Sequence, residues 1–155
     1  MPTLTWATAL SEALNAHDLD RISALYASPF VGIDLTLRHE ALQTKDLYEA
    51  YSFWIEAFPD LHVRYEIMHA TSRRATLVWR YTGTHNGYFL NIPPTGHVVR
   101  IEGISVVNLT DGLCSRELQI WDLAGALRSL RLLPDLPSSS RSSQDLALLM
   151  ADPGV

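Results

Sequence analysis

The feature that most constrains this chain is a change of period part-way along it. Up to Pro59 most apolar residues recur at helical spacing; from Leu61 to Trp121 they alternate. Helices that come first, followed by strands joined through tight turns, build a mainly antiparallel sheet with the helices gathered on it. That is an α+β fold. A fourteen-residue amphipathic helix laid across a curved four-stranded sheet leaves a cone between the two layers, closed at one end and open at the other. One enclosed pocket is therefore expected.

Local signals place the elements. Thr3 or Thr5 caps a first helix with Leu4, Ala7, Leu10 and Leu14 on one stripe, and Asn15-Ala16-His17 breaks it. Asp18 caps a second, short helix carrying Leu19, Ile22, Leu25 and Tyr26, ended by Ser28-Pro29. Val31–Thr36 reads as a short strand. Thr44 caps the clearest helix, Lys45–Phe58, whose stripe is Leu47, Tyr51, Trp54, Ile55 and Phe58. Strands are expected over Leu61–Ala70, Arg73–His85, Val98–Leu109 and Leu113–Trp121, with a Gly- and Pro-containing loop over Asn86–Gly96 and a tight turn at Thr110-Asp111-Gly112. Asp122–Leu133 closes as a helix. One domain then spans 1–136, and the Ser-rich remainder, 137–155, is expected to be a mobile tail in which Leu146–Met150 could dock a last turn.

Composition excludes several functions. A chain of 155 residues can bury a real core without staples, and a single cysteine, Cys114, leaves no internal disulfide and fits a reducing compartment. The first residues lack a basic start and a continuous apolar run, and no segment has the ~20 apolar residues a membrane span needs. A cytoplasmic location is the expectation. With a net charge of −5 and twelve scattered Lys and Arg, there is no basic stripe for nucleic acid. Metal-ligand spacings, a glycine-rich phosphate loop and a Gly-x-Ser-x-Gly elbow are all missing, so no metal or nucleotide cofactor is expected. What remains is acid–base chemistry.

Asp122 is the first candidate for it. As the last residue of a strand it shares parity with Leu118 and Ile120, expected to face the enclosed side. A carboxyl desolvated there would have a raised pKa, whereas the plain alternative is a helix N-cap. His85 ends a long strand beside the proline loop, where a lone histidine is more often structural. Asp34 lies mid-strand on a face with Gly32 and Thr36, which favours a solvent-facing position over a site. Arg100 and Glu102 share one face of their strand, as a surface ion pair or as part of a site. Candidate lining residues are Phe30, Tyr51, Trp54, Phe58, Trp79, Tyr81, Ile92, Ser105, Leu118 and Ile120, the aromatics being core residues first.

At Ala57-Phe58-Pro59-Asp60-Leu61, Gly83-Thr84-His85-Asn86-Gly87 and Ile92-Pro93-Pro94-Thr95-Gly96 the sequence resembles the SnoaL-like polyketide cyclases, members of the nuclear transport factor 2-like superfamily of cone-shaped α+β domains. Leu14-Asn15-Ala16-His17-Asp18-Leu19-Asp20 resembles the family's break between its first two helices, so the likeness spans roughly residues 6–134. The resemblance implies that Asp122 is the general acid–base of an intramolecular aldol closure and that His85 belongs to the family's Gly-Thr-His motif. The chain departs from the family at Arg116 and Leu118, where Glu and Trp are common, at Ser105, where the cyclases have histidine, and at Ser129-Leu130-Arg131 in place of Gln-Leu-Gly.

Three functions compete. A cyclase or isomerase acting on an apolar, oxygenated biosynthetic intermediate would use Asp122 as acid–base and His85 or a tyrosine at the oxyanion. An epoxide-opening hydrolase or ether-forming cyclase would need Arg100, Glu102 and Asp122 pointing inward; Glu102 facing solvent would remove it. A non-catalytic small-molecule binder would leave Asp122 exposed as a cap. Val63, Tyr65, Leu77, Val99 and Val107 are expected on the outer face of the sheet, and a homodimer would cover them.

Overall fold

Helix α1 (Pro2–Asn15) and the short α2 (Leu19–Ser23) are followed by β1 (Tyr26–Asp34), the two-residue β2 (Leu42–Gln43), a 3-10 turn over Thr44–Asp46 and helix α3 (Leu47–Ala57). Then come β3 (His62–Ala70), β4 (Arg74–Thr84), β5 (Val98–Thr110) and β6 (Leu113–Trp121), and α4 (Leu123–Ser129) closes the domain. This computed structural model describes residues 2–37 and 41–136. The tail expected to be mobile, with its Ser-rich run and the turn at 146–150, lies outside the described residues.

The helices begin and end where side chains supply the missing backbone partners. The Asp18 carboxylate accepts the Arg21 N–H (3.0 Å) and starts α2. Asn15, at the end of α1, donates to Val63 O (3.0 Å) and accepts from Val63 N (2.7 Å), which fastens the helix to β3. Thr44 does not cap its helix. Its hydroxyl donates to Ala27 O (3.0 Å) and accepts from Phe30 N (3.1 Å), tying α3 to β1, while Gln43 and Asp46 form a reciprocal cap. Trp6, Leu10 and Leu14 bury the inner stripe of α1, each worth about 1.5–3 kcal/mol.

The sheet has six strands in the order β2-β1-β6-β5-β4-β3, two more than the four expected. The two are the short β2 and β1; β1, expected only from Val31, begins at Tyr26 and runs parallel to β6 in the register Gly32↔Glu117 and Asp34↔Gln119. Pro29 is accommodated where that register shifts between Tyr26 and Val31, so it does not end the strand's path. All other pairs are antiparallel. The sheet curls around α1 and α3 without closing, as the α+β cone requires.

Alternation along each strand sorts the side chains. Towards the helices point Phe30, Gly32 and Asp34 of β1, Leu77, Trp79 and Tyr81 of β4, and Glu117, Gln119 and Trp121 of β6. Val63, Leu77, Val99 and Val107 are core residues at 1% exposure or less, and Tyr65 faces the cavity between sheet and helix. The expectation that these five cover the outer face is therefore corrected. The outer face carries the opposite parity: Ile33, Met68, Ile104, Leu118 and Ile120, all exposed.

Candidate functional site

Between α3 and the concave side of the sheet lies a small inner chamber. It leaves about 50 Å³ open to water-sized molecules, room for a few waters. Its walls are Phe30, Gly32 and Asp34 of β1, Tyr65 of β3, Trp79 and Tyr81 of β4, Glu117 and Gln119 of β6, and Leu47, Tyr51 and Trp54 of α3. A wider outer chamber of about 660 Å³, bounded by Leu37, Lys45, Glu49, Phe53 and Leu90, shares Asp34, Leu42, Ala50, Trp54 and Gln119 with the inner one. The two form one funnel, aromatic on its walls and charged at its rim.

The two carboxyls of the inner chamber have different surroundings. Asp34, 7% exposed, is saturated with donors: Oδ1 accepts the N–H groups of Thr36 (2.8 Å) and Leu37 (3.1 Å). Its Oδ2 accepts Gln119 Nε2 (2.8 Å) and the indole N–H of Trp121 (3.0 Å). Four donors occupy what a carboxylate can readily accept, so Asp34 is a fastener between β1 and β6. Glu117 is less well supplied. Its Oε2 takes the hydroxyl of Tyr26 at 3.3 Å, and Ser105 favours its ionised form. Burial outweighs both and, with the nearby Asp34 adding to it, raises the Glu117 pKa above the ordinary glutamate value.

Hydroxyls surround Glu117. Tyr26 is hydrogen-bonded to Tyr51, and Tyr65 lies 3.5 Å from Tyr81, oxygen to oxygen. Burial is the first cause that raises the pKa of all four phenols, and the carboxyl of Glu117 adds to it. They are therefore protonated and able to donate. On β5 a side chain at Gly103 would bring its Cβ within 2.3 Å of the Trp79 ring. Glycine there lets the indole lie flat and donate to Ser105 Oγ (3.0 Å). Ser105 spends one lone pair on Trp79 and keeps its proton for Glu117.

The chamber thus gathers Asp34, Phe30, Tyr51, Trp54, Trp79 and Tyr81 of the expected residues, with Ser105 behind its wall. It does not gather Asp122. That carboxylate is exposed and accepts the Gly125 N–H (2.8 Å) as the N-cap of α4. Asp122 does share a face with Leu118 and Ile120, but it is the outer face, where those two are 41% and 53% exposed. Glu102 also points outward and pairs with Arg80 at 2.6 Å, and Arg100 is exposed. The inward Arg-Glu-Asp set that epoxide opening needs is not assembled.

His85 is fully buried at the end of β4 and lines neither chamber. Its Nδ1 accepts the N–H (3.2 Å) and hydroxyl (3.0 Å) of Thr95, which puts the ring proton on Nε2, unpartnered among the described residues. Burial lowers its pKa, and the neutral ring pins the 86–96 loop between Phe58 and Phe89. Phe58 and Ile92 belong to the core around that loop. Glu117, Tyr26, Tyr65 and Gln119 were not anticipated. For Glu117 and Gln119 the available signal is Trp121, the bulkiest apolar residue of β6, which shares their parity.

Among the described residues no group of three His, Cys, Asp or Glu side chains could hold a metal ion, and no helix is long and apolar enough to cross a membrane.

Solved structures that share this architecture include three from Streptomyces. AclR from Streptomyces galilaeus, a proposed hydroxylase, superposes with a TM-score of 0.76 at 24% identity, with 93% of this chain and 95% of that one covered. IdmH from Streptomyces antibioticus, a proposed polyketide cyclase, gives 0.74 at 22% identity, covering 84% and 99%. TsrD from Streptomyces laurentii gives 0.74 at 19%, covering 85% and 96%. At such identities the likeness establishes the fold. No curated protein matches the chain in sequence. The family model of the SnoaL-like polyketide cyclases does match, over residues 5–130, and the chain belongs to that family.

Proposed function

We propose that the funnel is the active site of a cyclase or isomerase working by acid–base catalysis, with Glu117 as the proton-transfer group. The observation that carries this is a carboxyl raised in pKa by burial, open on one side to an enclosed cavity and ringed by protonated phenols. Family membership supports a cyclase-type role. Asp122, exposed as the N-cap of α4, lends this reading nothing; the inward carboxyl is Glu117.

The chemistry follows from the geometry. A substrate carbonyl seated in the inner chamber would present its α-proton to the Glu117 carboxylate. A desolvated carboxylate with a raised pKa is the stronger base. The developing oxyanion would face the hydroxyls of Tyr51, Tyr65 and Tyr81, donors already fixed in place in a site of low dielectric. Only a reacting head fits the inner chamber. The remainder of an apolar, oxygenated intermediate would lie against Phe53, Trp54 and Leu90 in the outer one. For an intramolecular ring closure, folding the chain between these walls supplies much of the rate.

The test is turnover of a panel of cyclisable poly-β-carbonyl compounds by wild type, Glu117→Gln and Asp122→Asn. Glu117→Gln should lower kcat by about 10²-fold or more, and Asp122→Asn should change it by less than about twofold, as expected for a helix cap. The opposite pattern overturns the assignment. Binding without turnover, equal in wild type and Glu117→Gln, would mark a small-molecule binder.

The outer face suggests a second copy of the chain as partner. Ile104 pairs in register with Ile120 and Ile33 with Leu118, so the exposed apolar side chains form one block beside Met68. The Arg80–Glu102 ion pair and Arg116 edge it. A two-fold axis through such a block would set it against itself.

A further inference from the structure

Of the four phenols around Glu117, Tyr26 is the one that does not line the chamber. It is 4% exposed and stands behind the wall, between Tyr51 and Glu117, both of which do line it. Trp6 and Phe30 meet its ring edge-on, at centroid distances of 6.0 and 4.8 Å, so the ring is held and only the O–H can turn. That O–H carries one proton and faces two acceptors, the Tyr51 oxygen and Glu117 Oε2.

We propose that Tyr26 is a positioning residue that acts as a two-way proton switch, coupling proton uptake at Glu117 to proton delivery by Tyr51. With Glu117 ionised, the carboxylate can only accept, so Tyr26 donates to it and Tyr51 donates to Tyr26. Once Glu117 holds a proton it donates to Tyr26, whose own O–H turns to Tyr51. The Tyr51 proton is thereby displaced from the pair, and the remaining direction is the chamber. The other groups around Glu117 leave the switch alone. Ser105, oriented by the Trp79 indole, donates its one proton to Glu117 and takes none from Tyr26, and Asp34 is saturated by four donors. Cys114 donates to Arg116 O, and Tyr65 pairs with Tyr81.

The switch rests on the cyclase function proposed above, and it closes the proton balance of that reaction. Glu117 takes a proton from carbon, the resulting enolate forms the C–C bond, and the attacked carbonyl oxygen takes the Tyr51 proton to become a hydroxyl. Tyr51 is reprotonated by Tyr26 and Tyr26 by Glu117. One proton moves from carbon to oxygen, nothing is oxidised or reduced, and the site returns to its starting state.

The test needs no substrate. The ionisation of Glu117 is followed by isotope-edited infrared spectroscopy of the full chain in wild type, Tyr26→Phe, Tyr51→Phe and the double variant, with near-ultraviolet circular dichroism to confirm folding. Tyr26→Phe should raise the Glu117 midpoint by about one pH unit, through loss of a charge-assisted hydrogen bond. Tyr51→Phe should shift it by roughly a few tenths of a pH unit, and by nothing when Tyr26 is already Phe.

A Glu117 midpoint that Tyr51→Phe leaves unmoved would show no coupling between Tyr51 and Glu117, and refutes the switch; this result decides even if Tyr26→Phe fails to fold. Equal shifts from Tyr51→Phe in both backgrounds would show Tyr51 acting on Glu117 directly, and also refute it. Loss of coupling with Glu117-dependent turnover intact overturns the switch alone. Turnover indifferent to Glu117→Gln overturns the cyclase instead.

Discussion

Replacing Asp34 by asparagine changes no volume and yet should cost more stability than almost any other polar substitution in the domain. Each carboxylate oxygen of Asp34 receives two donors. An amide has only one oxygen. If that oxygen keeps the Thr36 and Leu37 N–H groups, the new NH₂ faces Gln119 and Trp121. Gln119 can turn its own amide and accept, but the Trp121 indole N–H has no such freedom and is left buried and unpaired. That orphan costs about 1–3 kcal/mol, and two surviving bonds fall from charged to neutral acceptors at about 1 kcal/mol each. Removing the desolvation cost of a buried charge returns part of this. The net expectation is about 3 kcal/mol, or roughly a 10 °C fall in Tm for a domain of this size.

The same isosteric change at Glu117 should have the opposite sign. Burial raises its folded pKa, so the penalty for ionising Glu117 is absent below the unfolded carboxylate pKa of about 4.3 and grows as pH rises through the folded value. Glu117→Gln should therefore match wild type in acid and exceed it near neutral pH. Urea unfolding of the three proteins at acidic and neutral pH measures both effects. A loss under about 1 kcal/mol in Asp34→Asn, against the ~3 worked from its donors, or equal losses in the two variants, would refute the contrast between fastener and proton-transfer group.

Two further outcomes are expected. Asp122→Ala removes the acceptor for Gly125 N and should cost about 1 kcal/mol as a lost N-cap, with the titration of Glu117 unmoved; a shifted Glu117 midpoint would show that Asp122 reaches the chamber after all. Sedimentation velocity should find wild type as a dimer and Ile104→Glu, which charges the centre of the outer block, as a monomer; a wild-type monomer removes the proposed partner.

Local pattern reached far in this chain. The Asp18 cap, the break after Asn15, the long β4 and β5, and the tight turn at Asp111-Gly112, where both residues adopt positive φ, were all legible because each depends on neighbours in sequence. The parallel pairing of β1 with β6 was not. Its partners lie some 85 residues apart, and nothing local marks a strand that joins the sheet from so far away.

The site divides in the same way. Period-two alternation correctly grouped Asp122 with Leu118 and Ile120, because parity is a property of the backbone alone; Glu117, Gln119 and Trp121 form the opposite set. Which group is enclosed is a property of the assembled sheet. Here the usual cue fails: the enclosed side of β6 carries a carboxyl and an amide that the cavity holds, while the exposed side carries the apolar block available to a second chain. Sequence alone determined the family, the fold class and the grouping of residues by face. Only the curl of the sheet over α3 decided which face became the funnel, and so moved the buried carboxyl from Asp122 to Glu117.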